Sequence, residues 1–204
     1  MKPLHHPSEA VLTDYAAGAL RPAFAITAAA HIDTCPACRE RVSLLEQVGG
    51  ELIGELPQTP MDEGSLEHAL ARLDQPTAAA PARRGRIADR VRFGRRRFLT
   101  PQIWVRHADR NTAGGDLLYL LRFPPGVRAI HHGHHGQEFT AVLQGAYRDE
   151  FGVFRAGDFA EFNDDQEHQP KSRGREACVC LVASEKPMRM HDWMGRVVQV
   201  LTGT

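Results

Sequence analysis

The sequence predicts two domains, a small all-α helical bundle followed by an all-β sandwich or small barrel. Three observations predict it. Apolar residues in the first 75 positions recur at three- and four-residue spacing. From residue 101 onward, short runs rich in Val, Ile, Leu and Phe alternate with Gly, Pro and Asp. Between these regions the charge changes sign. Residues 1–80 carry five basic and eleven acidic groups (−6), residues 81–97 eight Arg and one Asp (+7), and residues 98–204 twelve basic and thirteen acidic (−1). Such a break marks a linker, so the domains are expected at 1–80 and 98–204 with a basic connector over 81–97. The small, Pro-bearing stretch Gln75 to Ala82 supports that boundary.

The helical half divides by its capping residues. Ser8 can cap a helix over 9–20, with Val11, Leu12, Tyr15, Ala16 and Ala19 on one side. Gly18 and Pro22 end it and open a second helix over 23–33, because Pro suits a first helical turn. A third starts near Pro36, carries Val42, Leu44, Leu45, Val48 and Leu52, and stops by Glu55 before Pro57 and Pro60. Residues 65–74 predict a short amphipathic fourth helix with Leu66, Ala69, Leu70 and Leu73 on one side. The core of so small a bundle is meagre, and such domains often need a metal or a partner.

In the second half, strands are predicted at Ile103–Ala108, Asp116–Phe123, Phe139–Leu143, Ala146–Glu150, Asp158–Phe162, Ala177–Ala183 and Val197–Leu201. The longest apolar stretch, Ala23 to Ala30, is too short to span a bilayer, and no secretory h-region follows Met1. The expected compartment is a reducing cytoplasm, where four cysteines are ligands or free thiols rather than disulfides. These features exclude a membrane span, a disulfide-stapled mini-protein and a uniformly basic DNA-binding protein.

Two motifs carry chemistry. His31, Cys35 and Cys38 combine H-x3-C with C-x2-C, the His at the end of the second helix and the thiols opening the third. A helix N-terminus favours thiolate. A structural Zn2+ takes four ligands, and His6 or His5, just before the first helix, can supply the fourth. A redox C-x2-C normally follows a strand rather than joining helices. Here the chain resembles the zinc-binding anti-sigma domains that inhibit bacterial extracytoplasmic-function sigma factors, whose signature is an N-terminal His followed by H-x3-C-x2-C. His6, His31, Cys35 and Cys38 match it. The resemblance implies a helical wrap around a sigma factor that blocks its access to core polymerase.

The second motif runs from Gly126 to Gly145 and reads G-x5-H-x-H-x3-E-x6-G, the first motif of the cupin superfamily. His132 and His134 alternate in an extended segment, so both imidazoles point to one side, and Glu138 has the same parity. His131 and His135 face the other way. His168, downstream of Gly157-Asp158, stands where a second cupin motif places a ligand, although Asn163 and Asp165 occupy positions where Pro and Gly are common. The expected fold of this half is therefore a cupin (double-stranded β-helix, jelly-roll) barrel. Three imidazoles and a carboxylate suit Zn, Fe, Mn, Ni or Cu.

Together the halves resemble the anti-sigma factors that join an N-terminal zinc domain to a C-terminal cupin-like domain. Supporting segments are Tyr15 to Gly18, Gly64-Ser65-Leu66, Val142 to Asp149, Gly157-Asp158 and Cys178 to Leu181. The resemblance implies zinc in both sites, a one-to-one complex with a sigma factor, inhibition by the first domain, and response to singlet oxygen and related oxidants by the second. The acidic balance of residues 1–80 suits a basic partner surface. Neither site is expected to turn over substrate, and no direct nucleic-acid or membrane partner is expected. The alternatives are a cupin metal-dependent dioxygenase, or a cupin small-molecule sensor, with the helices as a docking module. Cys178 and Cys180 share a strand face, where alternate residues sit about 7 Å apart and a disulfide is strained, so they are read as packed thiols, with oxidant sensing the minor alternative. The arginines of 83–97 are read as a solvated linker, because no stacking aromatics interleave them. His68, His107 and His191 are read as surface or satisfied histidines, and Trp104, Trp193, Phe139 and Phe162 as core.

Overall fold

The computed structural model describes residues 2–73 and 91–190. Helices α1 (Glu9–Ala16), α2 (Pro22–Ile32), α3 (Pro36–Gly54) and α4 (Ser65–Leu73) precede strands β1 (Arg97–Phe98) and β2 (Trp104–His107), then the short helix α5 (Arg110–Ala113). The remaining strands are β3 (Leu117–Phe123), β4 (His132–Gly133), β5 (Glu138–Gln144), β6 (Ala146–Asp149), β7 (Gly152–Arg155), β8 (Phe159–Phe162), β9 (Glu167–His168), β10 (Lys171–Arg173), β11 (Cys178–Ser184) and β12 (Arg189–Met190). All paired strands are antiparallel. A six-stranded sheet runs in the order β1-β2-β3-β11-β5-β8, and β10-β6-β7 and β12-β4-β9 form two three-stranded sheets. The expected strand over 197–201, Trp193, His191 and most of the linker lie outside the described residues.

The helices begin where the sequence places them. The Ser8 hydroxyl accepts from Val11 N at 3.3 Å, capping α1. Gly18 follows at φ +69°, and Pro22 opens α2. α2 has no polar face until its end, and the structure shows why. One side packs on α1 and α3, the other on β5 and β11. The Phe24 ring meets Phe139 edge-to-face at 4.8 Å. One hydrophobic cluster therefore joins Val11, Phe24, Ala28 and Val42 to Leu118, Phe139, Phe159 and Leu181. The helical half does not rely on its own small core; it completes that core on the sheet. At the N-terminus of α2, Arg21 pairs with Asp116 (2.9 Å) and Glu185 (2.6 Å) of the β half.

Strand parity divides the large sheet. Leu118, Phe139, Ala141, Leu181 and Ala183 face the helices. Tyr119, Val142, Cys180 and Val182 face the barrel interior. Between Val142 and Gln144 the register shifts, leaving Leu143 as an extra residue opposite the Val179–Cys180 step. Gly145 (φ +69°) ends β5 where a Cβ would lie 2.5 Å from the Ala177 carbonyl oxygen, so a side chain would force two strands apart. Cys178 and Cys180 are buried free thiols with Sγ atoms 3.7 Å apart. Trp104 is only half-buried, beneath Arg96 at 4.9 Å, while its neighbours Ile103 and Val105 enter the core. The end of the basic stretch lies against the barrel as well: Arg106 donates to the carbonyls of Phe93 and Gly94 at 2.8 Å.

The fourth helix forms but buries none of its residues. The stripe of Leu66, Leu70 and Leu73 is exposed, as are Leu44, Val48, Leu52 and Ile53 of α3 and Leu56 and Met61 beyond it. The expected four-helix bundle is thus three packed helices and a projecting apolar arm. Phe24→Ala should cost about 3–5 kcal/mol in urea denaturation, as for a buried aromatic truncated in a core, whereas Leu70→Ala should change stability by less than about 0.5 kcal/mol.

Candidate metal centres

Helix ends and the N-terminal segment build the first cluster. His31 closes the last full turn of α2. Its Nδ1 donates to the Gly157 carbonyl oxygen at 2.6 Å, which leaves Nε2 with a free lone pair facing Cys38 Sγ at 3.2 Å. Cys35 is the N-cap residue of α3 and Cys38 lies in its first turn, behind Pro36. Both sulfurs therefore sit at the positive end of the helix dipole. His6 Nδ1 lies 3.4 Å from both sulfurs. The four donor atoms all fall within 4.8 Å of one another. A tetrahedral ion with metal–nitrogen distances of about 2.05 Å and metal–sulfur distances of about 2.3 Å separates N from S by about 3.6 Å, so the donors are spaced for one Zn2+. His5 is turned away, its ring 4.4 Å from Phe154.

The protonation chemistry agrees. Burial, the largest cause, pulls the His31 pKa down to about 4, outweighing the Gly157 hydrogen bond, so the imidazole is neutral at pH 7. Burial, then the hydrogen bond and charge of Cys35, push Cys38 up to about 12. Without metal its proton therefore stays, donated to His31 Nε2, where a cation would otherwise sit. Metal binding must release it.

The second cluster sits inside the barrel. His132 and His168 are cross-strand partners on β4 and β9. His132 Nδ1 donates to the Ile130 carbonyl oxygen at 2.8 Å, and His168 Nδ1 donates to Asp149 Oδ2 at 2.9 Å. Each imidazole is thereby fixed with its Nε2 lone pair inward, and the two Nε2 atoms stand 3.0 Å apart. Two lone pairs that close require a proton or a metal ion between them. His134 and Glu138 complete the group, with donor atoms within 4.8 Å of one another. His134 Nδ1 and Glu138 Oε2 are 3.5 Å apart, too long for a hydrogen bond, and both His134 nitrogens and Glu138 Oε2 are buried without a partner. Orphaned buried donors of this kind are what a missing cation leaves behind. Burial, then the charge of His168, pull the His132 pKa down to about 4. Burial pushes Glu138 up, but contact with His134 and the fields of the three imidazoles outweigh it, and its carboxyl ends below the usual range. His131 and His135 are exposed, as parity requires.

All eight residues expected as ligands thus lie in two groups of four. Sequence reasoning missed the groups that aim them. The Asp149 side chain is fully buried; its Oδ1 also accepts from Phe151 N and Gly152 N, so the β6–β7 hairpin turn holds it toward His168. The sequence signal is an Asp three residues before a Gly between two short strands, which predicts a turn but not its contact with a histidine 19 residues on. Phe162, read as core, stacks on His134 at 5.3 Å and meets His168 at 4.3 Å. An apolar cavity of about 50 Å3 meets this cluster directly: His132, Glu138 and His168 line it together with Tyr119, Val182 and Met188.

The chain resembles known proteins over nearly its whole length. The family described as "ChrR Cupin-like domain" matches residues 99–188. Over 206 aligned residues the chain is 41% identical to the anti-sigma-E factor ChrR of Cereibacter sphaeroides, covering 96% of each protein. A crystal structure of Rhodobacter sphaeroides SigE in complex with the anti-sigma ChrR contains a chain 38% identical, matched over 90% of this chain and 99% of that one with a TM-score of 0.77.

The depressed histidines set the acid limit of the fold. His31 and His132 hold pKa values of about 4 when folded, against 6.5 for an ordinary histidine. Unfolding therefore takes up protons between these values, and stability must fall as pH drops from 6.5 towards 4. In calorimetry of chelated protein, Tm should be nearly level just above pH 6.5 and decline steadily below it.

Proposed function

The chain belongs to the ChrR family of anti-sigma factors, and on that premise we propose that it binds an extracytoplasmic-function sigma factor one-to-one, keeps it from core polymerase, and releases it under singlet-oxygen-type oxidative stress. The observation that carries this reading is the exposed apolar stripe along the outer half of α3 and all of α4. Ile53 is 71% and Leu73 79% exposed. A soluble chain that leaves so many large apolar side chains at helical spacing in water presents a helix-type docking surface. The −6 charge of residues 1–80 fits a basic partner, such as a polymerase- and DNA-binding protein. Among the described residues no helix is long and apolar enough to cross a membrane, consistent with action in the cytoplasm beside the sigma factor.

In this reading His6, His31, Cys35 and Cys38 hold a structural Zn2+, and His132, His134, Glu138 and His168 hold a second divalent metal, again zinc. Zinc supplies a fixed tetrahedral node and no redox chemistry. The residues do the rest. Cys35 and Cys38 fix the direction in which α3 leaves α2, and so where the exposed stripe points. His31 ties that junction to the barrel through Gly157. Four protein donors leave the first site no open position for a substrate, so its role is structural. The barrel site responds to the stress, and the buried thiols of Cys178 and Cys180 lie on the interior face of the same barrel.

A second reading, a cupin that binds or oxidises a small organic molecule, is favoured only by the apolar cavity beside the second cluster. Oxygen consumption by the iron-loaded chain in the presence of such a molecule supports it; none is expected.

Cys35→Ser and His31→Ala should abolish co-purification with the cognate sigma factor. Retained binding in either variant contradicts the first site's role. Ile53→Asp should weaken sigma binding at least about tenfold, as for loss of a buried apolar anchor at an interface, with Tm unchanged. His134→Ala or Glu138→Ala should keep the sigma factor inhibited in a reporter strain but block induction by oxidant; normal induction would refute that division.

A further inference from the structure

The turn between β7 and β8 reaches the N-terminal cluster, although it belongs to the barrel and contributes no ligand. Asp158, 2% exposed, accepts on Oδ1 from Leu4 N (2.7 Å) and His5 N (3.2 Å), and on Oδ2 from Arg155 N (2.8 Å). Next to it, Phe159 N donates to the His5 carbonyl oxygen at 3.1 Å. Ser8 N donates to Glu161. Residues 4–8 are therefore laced along the outer edge of β8, with His6 in the middle of the laced segment. Gly157 supplies the carbonyl that orients His31, and its φ of +97° with Pro3 Cγ 3.2 Å from a would-be Cβ leaves no room for a side chain there. The turn itself is fixed to β5 by Gly157 N to Val142 O (2.8 Å) and Val142 N to Asp158 O (3.0 Å).

The division of labour is uneven. Both thiols come from α3 and need nothing from the barrel. Two consecutive barrel residues act on the imidazoles: the Gly157 carbonyl orients the His31 ring, and the Asp158 carboxylate holds the backbone just before His6. His6, the exposed donor, lies on a segment outside any helix or strand, and of the four hydrogen bonds that lace this segment to the barrel Asp158 accepts two, both on the N-terminal side of His6. We propose that Asp158 is a positioning residue for the N-terminal metal site: it steadies His6 through the Leu4 and His5 amides and so raises the metal affinity of the four-donor group. The same strand runs on to the second cluster, since Phe159 touches His31 at 5.8 Å and Phe162 stacks on His134.

This inference rests on the reading that the four donors hold one metal ion. The test uses the full-length chain loaded with Co2+, because a thiolate-to-cobalt charge-transfer band reports the first site alone; the second has no sulfur ligand. Asp158→Ala should lower Co2+ affinity at the thiolate site by about 10- to 100-fold, the usual effect of removing a group that orients a ligand, and shift that band as His6 is lost. Affinity at the second site should stay within about threefold, which also shows that the barrel has folded. Asp158→Asn, which keeps one acceptor oxygen, should recover part of the loss. Leu4→Pro, which removes the shorter of the two amide bonds and leaves the barrel sequence intact, should reproduce part of the Asp158→Ala loss. Unchanged thiolate-site affinity and spectrum in both Asp158→Ala and Leu4→Pro would overturn the positioning role. Absence of the band in the unmodified chain would overturn the metal reading itself, and with it this proposal.

Discussion

His31 is the residue through which the two halves of the molecule meet. Its ring is 1% exposed, sits at the end of a helix packed on both sides, and offers one nitrogen to the barrel and the other to a thiol. A buried imidazole in that position cannot carry charge at neutral pH, so its free nitrogen must share a proton or bind a cation. Either way, α2, the start of α3 and the β7–β8 turn must keep their relative positions. Much of the remaining architecture maintains that arrangement: the apolar seam between α2 and the sheet, the Arg21 pairs with Asp116 and Glu185, and the N-terminal segment laid along β8.

The barrel repeats the device at another scale. Each of two imidazoles is pinned through Nδ1, one by a carbonyl and one by Asp149, and their Nε2 atoms converge. Two-residue strands suffice to place them because antiparallel pairing sets partners directly opposite one another. The two centres differ in exposure. The second is enclosed, whereas the first keeps His6 at the surface.

The two clusters of donor residues were legible in the sequence because their spacing carries geometry. H-x-H in an extended chain and C-x2-C at a helix start leave few arrangements open. The longer strands were also legible from their Val, Ile, Leu and Phe runs. The two-residue strands β1, β4, β9 and β12 were not, since periodicity needs length. The partner of α2 was likewise hidden, because the face that covers Phe24 and Ala28 arrives more than 100 residues later, in β5 and β11. Amphipathy was read correctly in α4 but its consequence was not. A stripe of Leu66, Leu70 and Leu73 indicates burial against something, and within the described residues that something is absent. Asp149 and Asp158 escaped notice for a common reason: each acts through the tertiary contacts of a tight turn, and a turn's composition does not reveal what lies across from it.

In the proposed function the apolar arm of α3 and α4 grips the partner, and four donor atoms near the N-terminus aim it. The most direct measurement is the affinity of the full-length, reduced chain for its sigma factor across a series of buffered free-zinc activities. The account predicts that binding rises in step with occupancy of one zinc per chain at the thiolate site and vanishes when that site is empty. Equal affinity with and without zinc would contradict it.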